Sequence, residues 1–282
     1  MTAAAPDRLL PSPEILEAFR THVWERGRAE WRDMPWRGAD DPYAVLVSEV
    51  MLQQTQVARV ITRYADWMAA FPTPDALDAA PLAAVLEAWQ GLGYNRRALA
   101  LKRAAEIVVE RYGGTLPPDE AALRALPGIG PTTAAAVLNY AYRIPTPFIE
   151  TNVRAVFLHH FFADADDVPD SALRQLVDAT WDRLDPRGWG YALMDHGVEL
   201  KRTMPNPSRR SRHHVSQSPF EGSKRQKRAK LLRAVLADPG GPTDAYAEVL
   251  GADGTETLSL LEELACEGFI AREGESWAVP EV

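Results

Sequence analysis

Two glutamates in the sequence stand where a carboxyl group could take part in acid–base chemistry. Glu49 interrupts the apolar stretch 45–52, where burial would raise its pKa and keep it able to donate a proton. Glu150 follows Phe148-Ile149, at the start of a predicted helix. Two carboxyl groups in different surroundings can divide the work of cleaving a bond between a sugar and its substituent. The alternatives are an exposed helical Glu49 and a Glu150 that only caps a helix.

A glycine-containing segment lies between these two glutamates. It reads Leu126-Pro127-Gly128-Ile129-Gly130 and is followed by Pro131-Thr132-Thr133 and an alanine-rich helical run. Such a segment predicts a tight hairpin with free backbone N–H groups at a helix start, which favours a bound anion. Gly128, Gly130, Thr132 and Thr133 are therefore candidates to bind a phosphate. A simple turn between two helices is the alternative.

A basic segment follows the predicted helices of the first two thirds. Between Lys201 and Lys230 lie ten basic residues and a single acid, Glu221, which gives this segment a charge of +9 and leaves −17 for the rest of a chain of net charge −8. A basic segment on an acidic protein fits contact with a polyanion along one face. Arg209, Arg210 and Arg212 are the candidate phosphate contacts, and a solvated flexible loop is the alternative.

The composition narrows the class of protein. A length of 282 residues, with 46% hydrophobic and 25% charged residues, is typical of a globular protein. The single cysteine, Cys266, excludes an internal disulfide and a site with four cysteine ligands. No apolar run approaches the roughly 20 residues that span a bilayer. The alanine- and proline-rich start lacks the pattern of a secretory signal, so we expect a cytoplasmic location and no membrane partner.

The periodicity predicts an all-α body over about residues 14–202, an irregular basic linker over 203–222, and a small α+β module over 223–282. The module reads as three helices and a hairpin turning at Glu273-Gly274-Glu275, which is the winged-helix pattern. Its last helix carries four glutamates, which phosphates would repel. We therefore expect this module to pack or to contact a protein, without naming that protein, rather than to read DNA. The four glutamates of the last predicted helix are Glu256, Glu262, Glu263 and Glu267.

Four separated strings resemble the helix-hairpin-helix DNA glycosylases of the MutY adenine glycosylase type. They are Met34-Pro35-Trp36-Arg37, the run Ser-Glu-Val-Met-Leu-Gln-Gln-Thr-Gln-Val at 48–57, Trp89-Gln90-Gly91-Leu92-Gly93-Tyr94 and Met194-Asp195-His196-Gly197. The resemblance covers about residues 34–200. It implies a two-lobed fold, with a six-helix lobe over about 43–142 and a second lobe from about 14–36 plus 143–202.

The resemblance also implies a role for each matching residue. Glu49 matches the acid that protonates the leaving purine, and Glu150 falls where the family has an aspartate that faces the positive sugar. Asn152 matches the asparagine two residues later. Arg37 and Leu52 match residues lining the pocket for the flipped base, and Gln54 and Tyr94 match side chains that wedge into the duplex.

The sequence departs from the family pattern in four places. Glu150 is one methylene longer than the family aspartate. Thr132 stands where bifunctional members carry the Schiff-base lysine, so no lyase activity is expected. The four cysteines of the family's iron–sulfur cluster would fall near Lys201, Ser208, Ser211 and Gln217, so we expect no cluster. The domain that reads 8-oxoguanine in the family is not recognisable after Gly222.

These features predict a monofunctional glycosylase of base excision repair. It acts on double-stranded DNA as a monomer associated with the nucleoid, and adenine opposite 8-oxoguanine or guanine is the first expected substrate. Another damaged base, or a non-catalytic DNA-binding protein derived from a glycosylase, are the alternatives. The pairs His159-His160 and His213-His214 predict neutral or phosphate-facing histidines and no metal ion. The only cofactor left open is a monovalent cation at the 126–130 hairpin.

Overall fold

A computed structural model describes residues 10–214 and 219–281, most of which are helical. The helices are α1 (Pro13–Ala29), α2 (Pro42–Leu52), α3 (Val57–Ala70), α4 (Pro74–Asp78), α5 (Leu82–Ala88), α6 (Arg96–Tyr112), α7 (Glu120–Arg124), α8 (Pro131–Tyr140), α9 (Thr151–Phe161), α10 (Asp170–Thr180), α11 (Pro186–Thr203), α12 (Lys224–Ala237), α13 (Thr243–Leu250) and α14 (Gly254–Cys266). A 3-10 helix covers Pro207–Arg210, and the strands are β1 (Gly241–Pro242), β2 (Ala271–Glu273) and β3 (Ser276–Ala278).

The described residues divide into two compact units. The first unit contains those within Met1–Leu46, Pro118–Ala125 and Ile129–Ser216, and the second those within Val47–Pro117, Leu126–Gly128 and Gln217–Val282. This grouping differs from the expected six-helix lobe over 43–142, because α7 and α8 belong with α9 to α11. The C-terminal module belongs with α3 to α6.

In the first unit, α11 packs against both α1 and α9. Trp189 of α11 is fully buried and lies beside Trp24 and Phe19 of α1. The expected irregular linker is partly ordered, because the 3-10 helix packs on α9 and an isolated bridge joins Val168 to Ser211. The rest of that linker includes residues 215–218, which lie outside the described part of the chain.

In the second unit, α4 and α5 pack against α6 around the fully buried Trp67 and Trp89. The C-terminal module has the predicted three helices, and its antiparallel sheet has the strand order β1-β3-β2. Arg272 pairs with Trp277 across the predicted hairpin. The winged-helix-like module is therefore confirmed.

Two helices end earlier than the sequence periodicity predicts, since it indicates helices over about 43–56 and 170–184. Helix α2 stops at Leu52 rather than near residue 56, because Gln54 adopts a positive φ of 54° that a right-handed helix cannot contain. Helix α10 ends at Thr180, where Trp181 turns to an extended conformation and buries its ring. Among residues 10–214 and 219–281, each helix is too short or too polar to cross a membrane.

Candidate active site

Glu150 caps α9. Its Oε1 accepts hydrogen bonds from the backbone N–H groups of Asn152 at 2.5 Å and Val153 at 2.7 Å, and its Oε2 accepts one from Nδ2 of Asn152 at 3.2 Å. These N–H groups have no carbonyl partner within the helix, and the helix dipole favours a negative charge beside them. Glu150 and Asn152 therefore lie together, as the sequence predicts, and the longer glutamate side chain is folded back over its own helix start.

Burial raises the pKa of Glu150, while the hydrogen bonds from Val153 and Asn152 and the charge of Lys201 act in the opposite direction. Lys201 donates from Nζ to Oδ1 of Asn152 at 2.8 Å, and burial lowers its own pKa. In the sequence, Lys201 stands out only as the first residue of the basic segment 201–230 and as one of the positions where the family has a cluster cysteine. Lys201 lies four residues after Gly197, and residues four apart share one face of a helix. This spacing could have indicated that Lys201 lies beside Asn152.

The close approach of α11 to the start of α9 depends on Gly197. A β-carbon on Gly197 would lie 2.5 Å from the backbone oxygen of Asn152 and 2.7 Å from its Cβ. Only glycine fits at that distance without displacing the turn that holds Glu150. The close packing of α11 against the start of α9 thus explains why the string Met194-Asp195-His196-Gly197 ends in glycine.

Asp195, in the same string, binds Arg37. Nη1 and Nη2 of Arg37 donate to Oδ2 and Oδ1 of Asp195 at 2.6 and 2.7 Å, and the guanidinium carbon lies 4.6 Å from the ring centroids of both Trp31 and Tyr191. Arg37 is buried, and Arg32 makes a further ion pair with Asp195. These contacts orient Arg37 within the first unit, and its assignment to a base pocket stays a prediction.

Glu49 belongs to the second unit, whereas Glu150 belongs to the first. Glu49 lies in the third turn of α2 and is half-buried between the buried Ser48 and Val50. Leu52 ends the same helix and is also half-buried. A carboxyl group in this position can reach a ligand in solution while most of its helix stays in the core.

The two predicted wedge residues share an unusual backbone conformation. Gln54 has a φ of 54° and Tyr94 a φ of 48°, in the left-handed region that side chains other than glycine rarely adopt. Each sits at the tip of a short loop of the second unit, after α2 and before α6. Strain of this kind persists only where the surrounding structure holds it, and it concentrates at functional sites.

Arg97 holds both loops. Its Nη1 donates to the carbonyl oxygens of Val50, Met51 and Gln53 at 2.8, 3.0 and 2.6 Å, and its Nη2 donates to those of Leu92 and Gly93 at 3.1 and 2.8 Å and to Oγ1 of Thr55 at 3.0 Å. Burial lowers the pKa of Arg97 to about 10, so the group stays charged at neutral pH. Nothing in the sequence distinguishes Arg97, because an arginine near a helix start usually faces solvent.

The predicted hairpin is present between α7 and α8. Gly128 has a φ of 75°, and a β-carbon there would lie 2.7 Å from Cβ of Ala100, so both the conformation and the space require glycine. Gly130 is the residue preceding α8, Pro131 is its first residue, Thr132 is exposed and Thr133 is buried. The hairpin is thus a helix start of the type that binds phosphate, and its monovalent cation stays a prediction.

Much of the basic segment is paired within the protein. Among the described residues, five of its basic side chains make ion pairs with carboxylates, so they are less available to a polyanion than the count of charges implies. The pairs are Arg202–Glu30, Arg212–Asp167, Lys224–Glu263, Lys227–Glu256 and Arg228 with both Glu263 and Glu267. Arg209 is exposed and Arg210 half-buried. Glu256, Glu263 and Glu267 therefore pair with basic residues of α12, whereas Glu262 is exposed.

The iron–sulfur cluster implied by the sequence resemblance does not fit the residues present. At the expected ligand positions, Lys201 binds Asn152, while Ser208 and Ser211 are 3% and 6% exposed. Ser208 Oγ donates to the carbonyl oxygen of Thr151 at 3.3 Å, and Ser211 Oγ accepts from the N–H of His213 at 3.0 Å. The fourth position, Gln217, lies outside the described residues. Hydrogen bonds and packing thus occupy the region where a cluster would need thiolates.

The fold and these sites can now be compared with known proteins. Residues 47–180 match the family model "HhH-GPD superfamily base excision DNA repair protein". This segment, which contains the glycine hairpin and α9, is therefore similar to that superfamily.

Two relatives and one solved structure illustrate the similarity. An adenine DNA glycosylase of Mycobacterium tuberculosis is 39% identical over 176 residues, which cover 60% of this chain and 57% of the relative. The adenine DNA glycosylase of Homo sapiens is 38% identical over 201 residues, covering 68% of this chain and 37% of the relative. The chain thus spans about half the length of the curated relatives it matches. The structure of a thermostable thymine-DNA glycosylase superposes with a TM-score of 0.61 at 23% identity, over 69% of this chain and 91% of the other.

Proposed function

We propose that the chain is a monofunctional DNA glycosylase of base excision repair, which flips one base out of duplex DNA and hydrolyses the bond between that base and its sugar. The observation that carries the proposal is the fixed carboxylate of Glu150. It stands at the start of α9 within the segment that matches the base excision repair family, and Asn152 and Lys201 accompany it.

The reaction needs two different carboxyl groups. We assign Glu49 to protonate the leaving base and Glu150 to stabilise the positive charge that develops on the sugar. Glu150 performs its part as a carboxylate, and the hydrogen bonds from Asn152 and Val153 favour that form. A water molecule then completes the hydrolysis at the sugar carbon. The side chain of Thr132 cannot form an imine with the sugar, so the product is an abasic site and the strand stays intact.

Binding is assigned to three further elements. The hairpin from Leu126 to Gly130, with Thr132 and Thr133, holds a phosphate, and exposed Arg209 adds a charged contact. Gln54 and Tyr94 fill the space that the flipped base leaves in the duplex. The chain acts as a monomer on nucleoid DNA in the cytoplasm, without an iron–sulfur cluster.

Adenine opposite 8-oxoguanine or guanine is the first substrate we propose, because the similar relatives from M. tuberculosis and human are adenine glycosylases. Another mispaired or damaged base is the second candidate. Two observations favour it: a thymine-DNA glycosylase shares the fold, and a longer carboxylate stands at position 150.

A single-turnover excision assay on duplexes tests the proposal. The panel contains adenine opposite 8-oxoguanine, guanine and cytosine, together with uracil, thymine opposite guanine, hypoxanthine and an alkylated purine. We expect loss of adenine, with strand breaks only after alkali. Glu150→Gln should lower the rate by about 10²- to 10³-fold and Glu49→Gln by about 10²- to 10⁴-fold. Glu262→Gln makes the same chemical change at an exposed glutamate of α14 and should leave the rate unchanged.

The other outcomes are equally informative. Excision of a different base alone would keep the reaction and replace the substrate. Breaks without alkali, formed as fast as the base is lost, would refute the monofunctional assignment. Binding of duplexes without loss of any base would identify a non-catalytic DNA-binding protein.

A further inference from the structure

Three histidines from three helices of the first unit lie side by side. They are His22 of α1, His160 of α9 and His196 of α11, and one ring nitrogen from each lies within 4.8 Å of the others. The Nε2 atoms of His160 and His196 are 3.0 Å apart. In the sequence, only the neighbouring pairs His159-His160 and His213-His214 stand out, because the three helices meet only in the folded chain.

The rings are arranged almost symmetrically. The ring centroids of His22 and His160 are 5.2 Å apart, those of His22 and His196 are 5.4 Å apart, and those of His160 and His196 are 5.3 Å apart. Three imidazoles that bind one tetrahedral ion through nitrogens about 2 Å from the metal hold their ring centres about 5 Å apart. The rings therefore already have the spacing of a three-histidine site.

The outer contacts of His196 point its Nε2 toward the cluster. Its Nδ1 lies 3.1 Å from Oε2 of Glu199, and the same oxygen accepts a hydrogen bond from Nε of Arg26 at 3.0 Å. A metal-binding histidine commonly donates its other ring N–H to a carboxylate, which fixes the tautomer and the ring orientation. His196 already has this arrangement, with Glu199 as the carboxylate.

The surroundings also favour uncharged rings. His196 is 3% exposed, and Phe19 lies edge-on to His160 with ring centroids 5.3 Å apart. Neutral imidazole is the form that binds metal ions. His22 is exposed, so its side chain can move by the small distance needed to close the site.

We propose that His22, His160 and His196 bind one divalent transition-metal ion of the zinc type, which links α1 to α9 and α11. The exposed side, beside His22, leaves the fourth position to water. Imidazole ligands suit zinc, copper and nickel and are poor ligands for magnesium or calcium. This site belongs to the first unit alone and does not depend on the proposed excision activity.

The competing interpretation is a hydrogen bond without a metal. Nε2–H of His160 would donate to Nε2 of His196, and Nδ1–H of His196 would donate to Glu199. His22 has no part in that arrangement. The two interpretations therefore differ in whether replacing His22 changes metal binding.

The test uses the full chain, produced without a polyhistidine tag and stripped of metal with a chelator. Zinc chloride is titrated by calorimetry into the parent, His22→Ala and, as a matched control, His214→Ala, an exposed histidine that is not one of the three. We expect one saturable zinc ion per chain in the parent and the control, and affinity lower by at least about tenfold in His22→Ala. At the same zinc concentration, the Tm of the parent and the control should rise more than that of His22→Ala.

Cobalt distinguishes the site from the exposed thiol of Cys266. Bound Co²⁺ should show the visible bands of tetrahedral nitrogen and oxygen ligation, without a sulfur-to-metal charge-transfer band, and Cys266→Ser should retain them. Equal zinc affinity in His22→Ala and the parent, an absence of saturable binding, or loss of binding in Cys266→Ser would each overturn the proposal. Metal-free unfolding curves of the parent and His22→Ala show whether the variant is folded.

Discussion

Lys201 donates a hydrogen bond to Asn152, from Nζ to Oδ1 at 2.8 Å. The amide of Asn152 in turn donates from Nδ2 to Oε2 of Glu150 at 3.2 Å. A lysine of α11 is thus connected through one amide to the carboxylate that caps α9. Its positive charge opposes the effect of burial on the pKa of Glu150.

We predict that Lys201→Met shifts the acid limb of excision to higher pH. Without the ammonium group, the pKa of Glu150 rises further above its ordinary value, because burial then acts with less opposition. The ionised form required beside the sugar is present above that pKa and is lost as the pH falls through it. The measurement is the single-turnover rate against pH, and Lys201→Arg, which keeps the charge, serves as the control. Superimposable profiles for Lys201→Met and the parent would show that the ammonium does not influence the carboxylate.

Arg97→Ala is predicted to destabilise the protein by about 2 to 4 kcal/mol, because several buried carbonyl oxygens lose a charged donor. Arg96 precedes it on α6 and makes only an exposed ion pair with Glu267, so Arg96→Ala should cost about 1 kcal/mol or less. Urea unfolding measures both. Equal free energies of unfolding in the two variants would contradict the role given to Arg97.

Gly197→Ala should lower both stability and excision. The added methyl group meets the backbone of Asn152, and the resulting strain should cost about 1 to 3 kcal/mol. Because the displaced turn carries Glu150, the single-turnover rate should fall even at temperatures where the variant is folded. Gly38→Ala is the control, since a β-carbon there meets nothing within 4 Å. A parent-like rate in folded Gly197→Ala would show that the position of this turn does not matter for the reaction.

Arg209 and Arg212 should differ in DNA binding, although they lie in one loop. Both side chains are exposed, but Arg212 makes an ion pair with Asp167 at 2.7 Å, and Arg209 makes no such pair within the described residues. Arg209→Ala should reduce the slope of log Kobs against log salt by about 0.9, the contribution of one phosphate contact. Arg212→Ala should change that slope less. The measurement is duplex binding over a salt series, and a larger change for Arg212→Ala would reverse the assignment.

Local patterns predicted the features that depend on neighbouring residues. The acid before α9 indicates a cap as the alternative to a catalytic role, the glycines at 128 and 130 predict a hairpin, and three short helices with an acidic turn predict the C-terminal module. All three are present. Each needs only the helix dipole, a positive φ or a short turn, and these are set within a few residues.

Features that depend on distant residues were missed. The number of charges in the basic segment does not reveal that several of them pair with carboxylates, because partners such as Glu30 and Glu256 are far away in sequence. In the sequence, Arg97 has the pattern of a surface residue. In the fold, the carbonyl groups of two loops surround it. The boundaries of the two units likewise depend on which helices pack together, and the helical period does not specify that.

The strained loops at Gln54 and Tyr94 have a consequence for the entropy of association. Both tips are held in a left-handed conformation by one guanidinium before any ligand arrives. The loss of backbone freedom there occurs during folding, so little of it remains to oppose the encounter with a duplex. Loops that are already rigid keep their conformation when they insert side chains into a duplex. The nucleic acid is then the partner that changes conformation on binding.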